Sequence, residues 1–433
     1  MNNTIKEIVK DDLCTGCGTC VALCPEEAIK LTINERKGIY VPEIDEEKCN
    51  NCGICYTACP GNEVDFRHLN LEIFGKEPED ILIGNYLNCY IGHATDYDIR
   101  YNSASGGLIT QLLIFALEEG IIDGALVTGM KKDNPLEPEP FIARTREEII
   151  EASKSKYCPV PANIALKKIL DSEEGEKFAV VGLPCHIHGI RKAEQTNKKL
   201  KEKIVLHFGI VCNHTPTFLA TEFLLKKVKI KKDDVKKLDY RGEGWPGGML
   251  ITTKNGNKIF ISYFSSNYWS IVFNSFFFPM RCTLCTDKIC ELADVSFADA
   301  WLPELMKDNN AGISLIISRN EISEEILNKA TLKEKIELKK VNKNVPLQSQ
   351  GLYSVKKRLK AHIRILRIFG KKNPIYHQDL LNSSFSDCLH ALSFYFKNCL
   401  LSKRYFWSFI DFYRVLLEKA SYYKSKLLKS KRN

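Results

Sequence analysis

Cys14-Thr-Gly-Cys17-Gly-Thr-Cys20-Val-Ala-Leu-Cys24-Pro25 and, thirty-five residues on, Cys49-Asn-Asn-Cys52-Gly-Ile-Cys55-Tyr-Thr-Ala-Cys59-Pro60 decide how this chain is read. Both runs have the C-x2-C-x2-C-x3-C-P spacing of a bacterial cubane [4Fe–4S] site, in which the fourth cysteine serves the other cluster. That rule assigns Cys14, Cys17, Cys20 and Cys59 to one cluster and Cys49, Cys52, Cys55 and Cys24 to a second. Gly16, Gly18 and Gly53 permit tight turns whose N–H groups can face sulfur. The proline after each fourth cysteine redirects the chain where no N–H bond is owed. Zinc sites use four ligands in paired C-x2-C spacings, and a disulfide frame has no need of this repeat, so both alternatives are weak.

Outward from this segment, 433 residues suffice for two or three domains, and 44% hydrophobic with 27% charged residues is ordinary for a globular protein. The start methionine is followed by no apolar stretch, and no apolar run reaches about eighteen residues, so neither a signal peptide nor a spanning helix is expected. Seventeen cysteines without a secretion signal point to metal ligation in a reducing, cytoplasmic setting. Residues 1–80 hold sixteen Asp and Glu against eight Lys and Arg, whereas residues 355–433 hold eighteen Lys and Arg against four Asp and Glu. An acidic head and a basic tail suggest two kinds of partner.

The expected organisation is a small α+β ferredoxin-like domain over 1–65, a linker over 66–84, an α/β core with a mixed sheet over 85–345, and a basic helical C-terminal extension over 346–433. Ala28–Ile33 and Gly38–Val41 read as a hairpin pair. Ser103–Glu119 reads as a buried helix ended by Gly120. Gly124–Met130, Phe178–Leu183 and Val205–Val211 read as strands buried on both faces. Thr215 and Pro216 signal the start of a further helix. Met249–Thr253 and Lys258–Tyr263 flank Asn255-Gly256, a hairpin turn. In the extension, Phe406, Phe409, Ile410, Tyr413, Leu416 and Leu417 share one helical face. That pattern suits a helix packed on the core, or peripheral contact with an anionic membrane.

Cys282-x2-Cys285-x4-Cys290 is a third ligand cluster, whose fourth ligand is Cys185 or Cys212, each at the end of a predicted strand where an α/β sheet gathers its functional groups. A third [4Fe–4S] cluster is the preferred reading, with zinc as the alternative. Cys89, Cys158, Cys388 and Cys399 read as small buried hydrophobes. Gly242-Glu-Gly-Trp-Pro-Gly247 matches the dinucleotide pattern G-x-G-x-x-G, but a hairpin follows instead of a helix, so a Rossmann site is rejected. His186, His188, His207 and His214 read as ordinary hydrogen-bonded histidines. No nucleic-acid-binding module is recognised.

Asn102-Ser-Ala-Ser-Gly-Gly-Leu108, Ser155-Lys-Tyr157, Val181-Gly-Leu-Pro-Cys-His186, Phe208-Gly-Ile-Val-Cys-Asn213, the Cys282–Cys290 run, Ala293-Asp-Val-Ser296 and Gly312-Ile-Ser314 resemble, in order, the coenzyme F-420 hydrogenase/dehydrogenase beta-subunit family. The resemblance covers residues 85–320. It implies bound FAD, a neighbouring [4Fe–4S] cluster, and hydride exchange with the deazaflavin coenzyme F-420. By the same resemblance, Ser103, Ser105, Gly106, Gly107, Lys156 and Tyr157 are expected cofactor contacts; no catalytic residue is assigned. The family's usual Cys-Gln is Cys185-His186 here, and the tail after Val345 lies outside the likeness. The expected function is an iron–sulfur flavoprotein passing electrons between coenzyme F-420, or another two-electron carrier, and a redox protein. The alternatives are a ferredoxin-dependent flavin reductase of another substrate and an electron-relay subunit without a substrate.

Overall fold

In the computed structural model, residues 3–265, 268, 271, 276–306 and 310–412 are described. The core is an eight-stranded mixed sheet. Its spatial order is Ile336–Val341, Asn88–Ala94, Ser314–Ser318, Val295–Asp299, Ile204–Ile210, Phe178–Gly182, Gly124–Met130 and Pro138–Ala143. The four strands from Val295–Asp299 to Gly124–Met130 pair in parallel; the other pairings are antiparallel.

Successive side chains of a strand point to opposite faces. Ala125, Val127, Ala179 and Phe208 thus pack under the helices Leu108–Glu118 and Glu321–Leu332. Leu126, Phe178 and Val180 pack under Leu166–Leu170 and Pro184–Thr196. Burial on both faces is why these strands read as near-continuous apolar runs. The antiparallel excursion is also present, with Gly248–Thr253 paired to Lys258–Ser262 and to Val235–Gly242.

The N-terminal hairpin pairs Ile29–Asn34 with Ile39–Ile44. Each cysteine run turns through a left-handed glycine, Gly18 at φ 89° and Gly53 at φ 83°, into a four-residue helix. Three boundaries differ from the sequence reading. Residues 103–107 form a loop, and the helix starts at Leu108. The helix expected at Thr215-Pro216 begins at Phe218, with Thr217 as its N-cap. The segment expected as a linker contains the helix Phe66–Phe74, capped by the Asp65 side chain, and it buries Phe66 and Leu69 in the apolar cluster beneath the sheet.

The extension is helical, as expected, in Leu352–Ile368 and Phe385–Leu401. It folds back over the molecule. Asn398 donates to Phe278 O, Gln350 to Asp299 O, and Trp407 and Ile410 are buried beside Phe223 and Phe277. Between its helices, Ile375–Tyr376 pairs in parallel with Glu63–Val64 of the N-terminal module. Tyr413, Leu416 and Leu417 lie outside the described residues. No helix among the described residues is long and apolar enough to cross a membrane.

Candidate redox site

The site grows from the carboxyl edge of the parallel strands, where chain reversals leave loops free to present side chains. Cys185 follows the strand Phe178–Gly182, and Cys212 follows Ile204–Ile210. Both line one cavity with Cys282 and Cys285, and Cys14, Gly16 and Pro60 of the N-terminal module reach the same cavity. The two candidates for a fourth ligand, Cys185 and Cys212, thus stand at the same cavity. Cys290, the third cysteine of that run, is raised chiefly by burial, with Cys212 and Cys285 adding to it. It is fully buried, is not among the cavity-lining residues, and fills the space above Gly209, where its Sγ would lie 2.7 Å from a Cβ. The spacing of three nearby cysteines concealed that the chain between Cys285 and Cys290 turns back into the core.

Electrostatic coupling sorts the other thiols into two sets. Burial chiefly pushes Cys14 up to about 12 and Cys59 up to about 11, and Cys17 adds to both. Cys20 is raised by burial, then by Cys17, Cys14 and Cys59, and last by Cys55 across the sets. Cys55 is raised by burial, then by Cys52, Cys24 and Cys49. Each run's fourth cysteine thus stands with the other run's first three. Burial also raises Cys185, with Cys17, Cys212, Cys285 and Cys282 adding to it, and pushes Cys212 up to about 12, with Cys282 and Cys285 adding to it. Cys17 adds most to Cys185 after burial, so the cavity and the inner N-terminal set interact electrostatically.

These donor sets fit iron–sulfur clusters. Buried thiols so hard to ionise become thiolates when a metal takes the proton's place. Gly16 N–H donates to Cys14 Sγ at 3.4 Å, Gly61 N–H to Cys59 Sγ at 3.3 Å, and Ala28 N–H to Cys24 Sγ at 3.3 Å. Such bonds support sulfur charge. Arg281 and Lys288 add cations at the cavity wall. Among the described residues no three His, Cys, Asp or Glu side chains can share one ion.

A second feature lies along the same edge. Asp299 ends Val295–Asp299, the strand paired beside Ile204–Ile210. It accepts from Trp245 Nε1 at 2.7 Å and from both terminal nitrogens of the buried Arg241, at 3.3 and 3.4 Å. Arg241 also donates to Ala104 O at 2.6 Å and to Tyr157 Oη at 3.0 Å, so it joins the two stretches expected to hold cofactor. Trp245, Trp301 and Tyr263 stack in sequence at 5.2 and 5.3 Å. Arg241 Nε, buried, has no acceptor among the described residues. The Arg241 guanidinium also lies over the rings of Tyr263 and Trp301, at 4.6 and 5.7 Å.

The individual contacts expected from the sequence fare unevenly. Ser103 Oγ donates to Ile99 O and Ser105 Oγ to Ile313 O, while Gly106 N–H donates to Ser314 Oγ. What this loop can offer a phosphate is the N–H groups of the helix it opens after Gly107. Lys156 donates to the carbonyls of its own turn, at Ala152, Ser153 and Lys154, and burial pulls it down to about 7. Arg241, Asp299, Trp245 and Trp301 were missed. Their one sequence signal is the Gly242–Gly247 turn, which is a hairpin connection, as its context suggested. Of the histidines, His186 accepts from Leu183 N–H and donates to Val160 O, His188 meets Asp287, His207 meets Asp294 and Glu194, and His214 stacks on Phe278 at the cavity wall.

A sheet whose carboxyl edge gathers four thiols, joined to a module carrying eight more, defines an iron–sulfur redox protein. This chain belongs to the coenzyme F-420 hydrogenase/dehydrogenase beta-subunit family. The family's N-terminal model matches residues 89–167, its C-terminal model residues 175–344, and a 4Fe-4S dicluster domain residues 13–62. The coenzyme F-420 hydrogenase beta subunit of Methanothermobacter thermautotrophicus is 31% identical over 58% of this chain and 83% of that protein. The coenzyme F-420-dependent sulfite reductase of Methanocaldococcus jannaschii is 30% identical over 78% of this chain and 49% of that protein. A chain of the F-420-reducing [NiFe] hydrogenase complex from Methanosarcina barkeri shares the fold, with a TM-score of 0.53 and 23% identity over 69% of this chain and 98% of that one.

Proposed function

We propose that this protein is an iron–sulfur flavoprotein that passes electrons between coenzyme F-420 and a protein partner. The observation that carries the reading is the meeting of Cys14 and Pro60 with Cys185, Cys212, Cys282 and Cys285 around one cavity. It brings the N-terminal module's inner thiols against those of the core. FAD, when bound, accepts two electrons as a hydride, and iron–sulfur clusters carry electrons singly.

The residues divide the labour. Cys185, Cys212, Cys282 and Cys285 hold a third cluster; Cys14, Cys17, Cys20 and Cys59 hold an inner one, and Cys24, Cys49, Cys52 and Cys55 an outer one. Arg241, with Tyr157 and the helix start after Gly107, holds FAD against Trp245, Trp301 and Tyr263. Tyr157 at this panel and Pro159 at the cavity wall are two residues apart, at most about 7 Å along the chain. Cys52 is exposed, which makes the outer set the place where a partner exchanges electrons.

Anaerobic spectral titration of the FAD- and iron–sulfur-loaded protein with reduced coenzyme F-420, alongside NADPH, tests the reading. Bleaching of flavin and clusters by the deazaflavin alone is expected. Bound flavin that stays oxidised points to a ferredoxin-dependent reductase of another substrate, and clusters without flavin to a relay subunit. The ligand set has its own check in iron content: Cys212→Ser loses about a third of the iron, and Cys290→Ser keeps it.

One observation bears on location. Phe385, Leu389, Phe396 and Leu400 are exposed along one face of Phe385–Leu401, while Ala391 and Phe394 pack inward. Exposed Arg364 and Arg367 precede this face. Such a face suits an anionic bilayer surface. Replacing the four residues by serine is expected to abolish co-sedimentation with anionic vesicles; unchanged sedimentation removes the idea.

A further inference from the structure

Arg281 occupies a singular place among the thiols. Its own neighbour in the chain is Cys282. Its Nε donates to Leu13 O at 3.1 Å, and its Nη2 to Pro60 O at 3.2 Å. Leu13 precedes Cys14, and Pro60 follows Cys59. One buried guanidinium is therefore a single residue away from two thiols of the inner set and one of the cavity set. Over it lies the ring of Tyr376, 5.8 Å from the guanidinium carbon. Tyr376 belongs to the C-terminal extension, beyond the family match at 175–344, and is held by its pairing with Val64.

Resting on the proposed cluster assignment, we infer that Arg281, capped by Tyr376, is a shared electrostatic bridge that ties the potentials of the inner and third clusters together. A cubane held by four thiolates gains negative charge on reduction, and charge and solvent exposure set its potential. A fixed cation in a water-poor position favours the more negative, reduced state of any cluster near it. The rigid fork fits this place better than a lysine, because two carbonyls from different loops accept from it at once. The step it serves is a one-electron exchange: one cluster is oxidised as the other is reduced, with no bond made and no proton moved. Stabilising both reduced states alike keeps that step close to balance. Tyr376 excludes water, which would screen the charge.

The experiment is an EPR-monitored redox titration of the full, cluster-loaded chain, with iron and sulfide content measured on each sample. With Arg281→Gln, the potentials of the inner and third clusters are expected to shift together to more negative values. The outer cluster, bound by Cys24, Cys49, Cys52 and Cys55, is expected to keep its potential and serves as the internal reference. Arg281→Lys is expected to recover a large part of the shift. Tyr376→Leu, which leaves charge and thiols in place, is expected to give a smaller shift of the same sign at the same two clusters. Should Arg281→Gln bind less iron, Tyr376→Leu decides alone. A shift at only one cluster, equal shifts for Lys and Gln, or fully loaded Tyr376→Leu with unchanged potentials overturns the bridge. Iron content of the unsubstituted chain separately tests the assignment on which the inference rests.

Discussion

The two cysteine runs share their spacing and local geometry, yet their thiol sets live in different surroundings. In both, a glycine near φ +85° opens a short helix that presents the third cysteine. The inner set contains Cys17, Cys20 and Cys59, all buried, whereas the outer set contains the exposed Cys52 and half-buried Cys49 and Cys24. The difference comes from docking. Asn163 receives Thr19 and Cys17: its side-chain amide donates to Thr19 Oγ1 at 2.8 Å, and its own N–H donates to Cys17 O at 2.9 Å. Lys192 donates to Cys59 O at 3.1 Å and Glu63 O at 2.7 Å. Gly189 lies so close that a Cβ there would meet Thr19 Oγ1 at 2.3 Å. The second run has the exposed stretches Pro25–Glu27 and Asp45–Lys48 around it instead. A duplicated motif thus becomes directional, with one end sealed against the core and the other open to a partner.

Cys52→Ser gives the largest expected break in that comparison. It removes an outer ligand only, so electron delivery to an external protein acceptor is expected to fall to background. Flavin reduction by reduced coenzyme F-420 is expected to persist. Loss of both together in stopped-flow traces would mean that the outer set is not a separate exit.

Gly18→Ala sharpens it from the other side. The residue sits at φ +89°, and a Cβ there would meet Ile164 Cγ2 at 2.6 Å and Ile164 N at 2.9 Å. Left-handed strain of about 1–3 kcal/mol adds to displacement of the docked core segment. The inner cluster is then expected to surrender iron to a chelator as readily as the outer one; an unchanged order of iron loss would show that docking does not protect it.

The smallest effect concerns how the extension is held over the molecule. Arg404 donates to both oxygens of Glu222, at 2.6 and 2.8 Å. With Lys232 it holds the carboxyl down to about 2. An unfolded glutamate titrates near 4.3. This contact therefore contributes fully above about pH 4.3 and is lost as the pH falls through about 2. Being half-exposed, it is worth about 0.2–1 kcal/mol. Thermal unfolding of Glu222→Gln against the unsubstituted chain is expected to show that gap at neutral pH and its closure in acid. A gap that persists at low pH would assign the extension's attachment elsewhere, with Trp407 as the first place to look.

The local rules were legible in the chain itself. C-x2-C-x2-C-x3-C-P spacing encodes which thiols converge because a few residues and one left-handed glycine determine the turn, and the apolar runs marked Gly124–Met130, Phe178–Gly182 and Ile204–Ile210 as buried strands because covering helices leave them no wet face. What spans long stretches of chain was not legible. Cys185 and Cys212 meet because parallel strands deliver their carboxyl ends to one edge, and the short helix Met280–Thr283, which precedes Val295–Asp299, brings Cys282 to the same cavity. Cys290, five residues from Cys285, is drawn into the core, where its side chain fills the gap over Gly209. Arg241 joins Ala104, Tyr157 and Asp299, residues with no periodicity to connect them. Spacing reports what one turn can bring together. Sheet order and the docking of one module on another decide which turns face each other, because those choices are made by burial summed over the whole molecule.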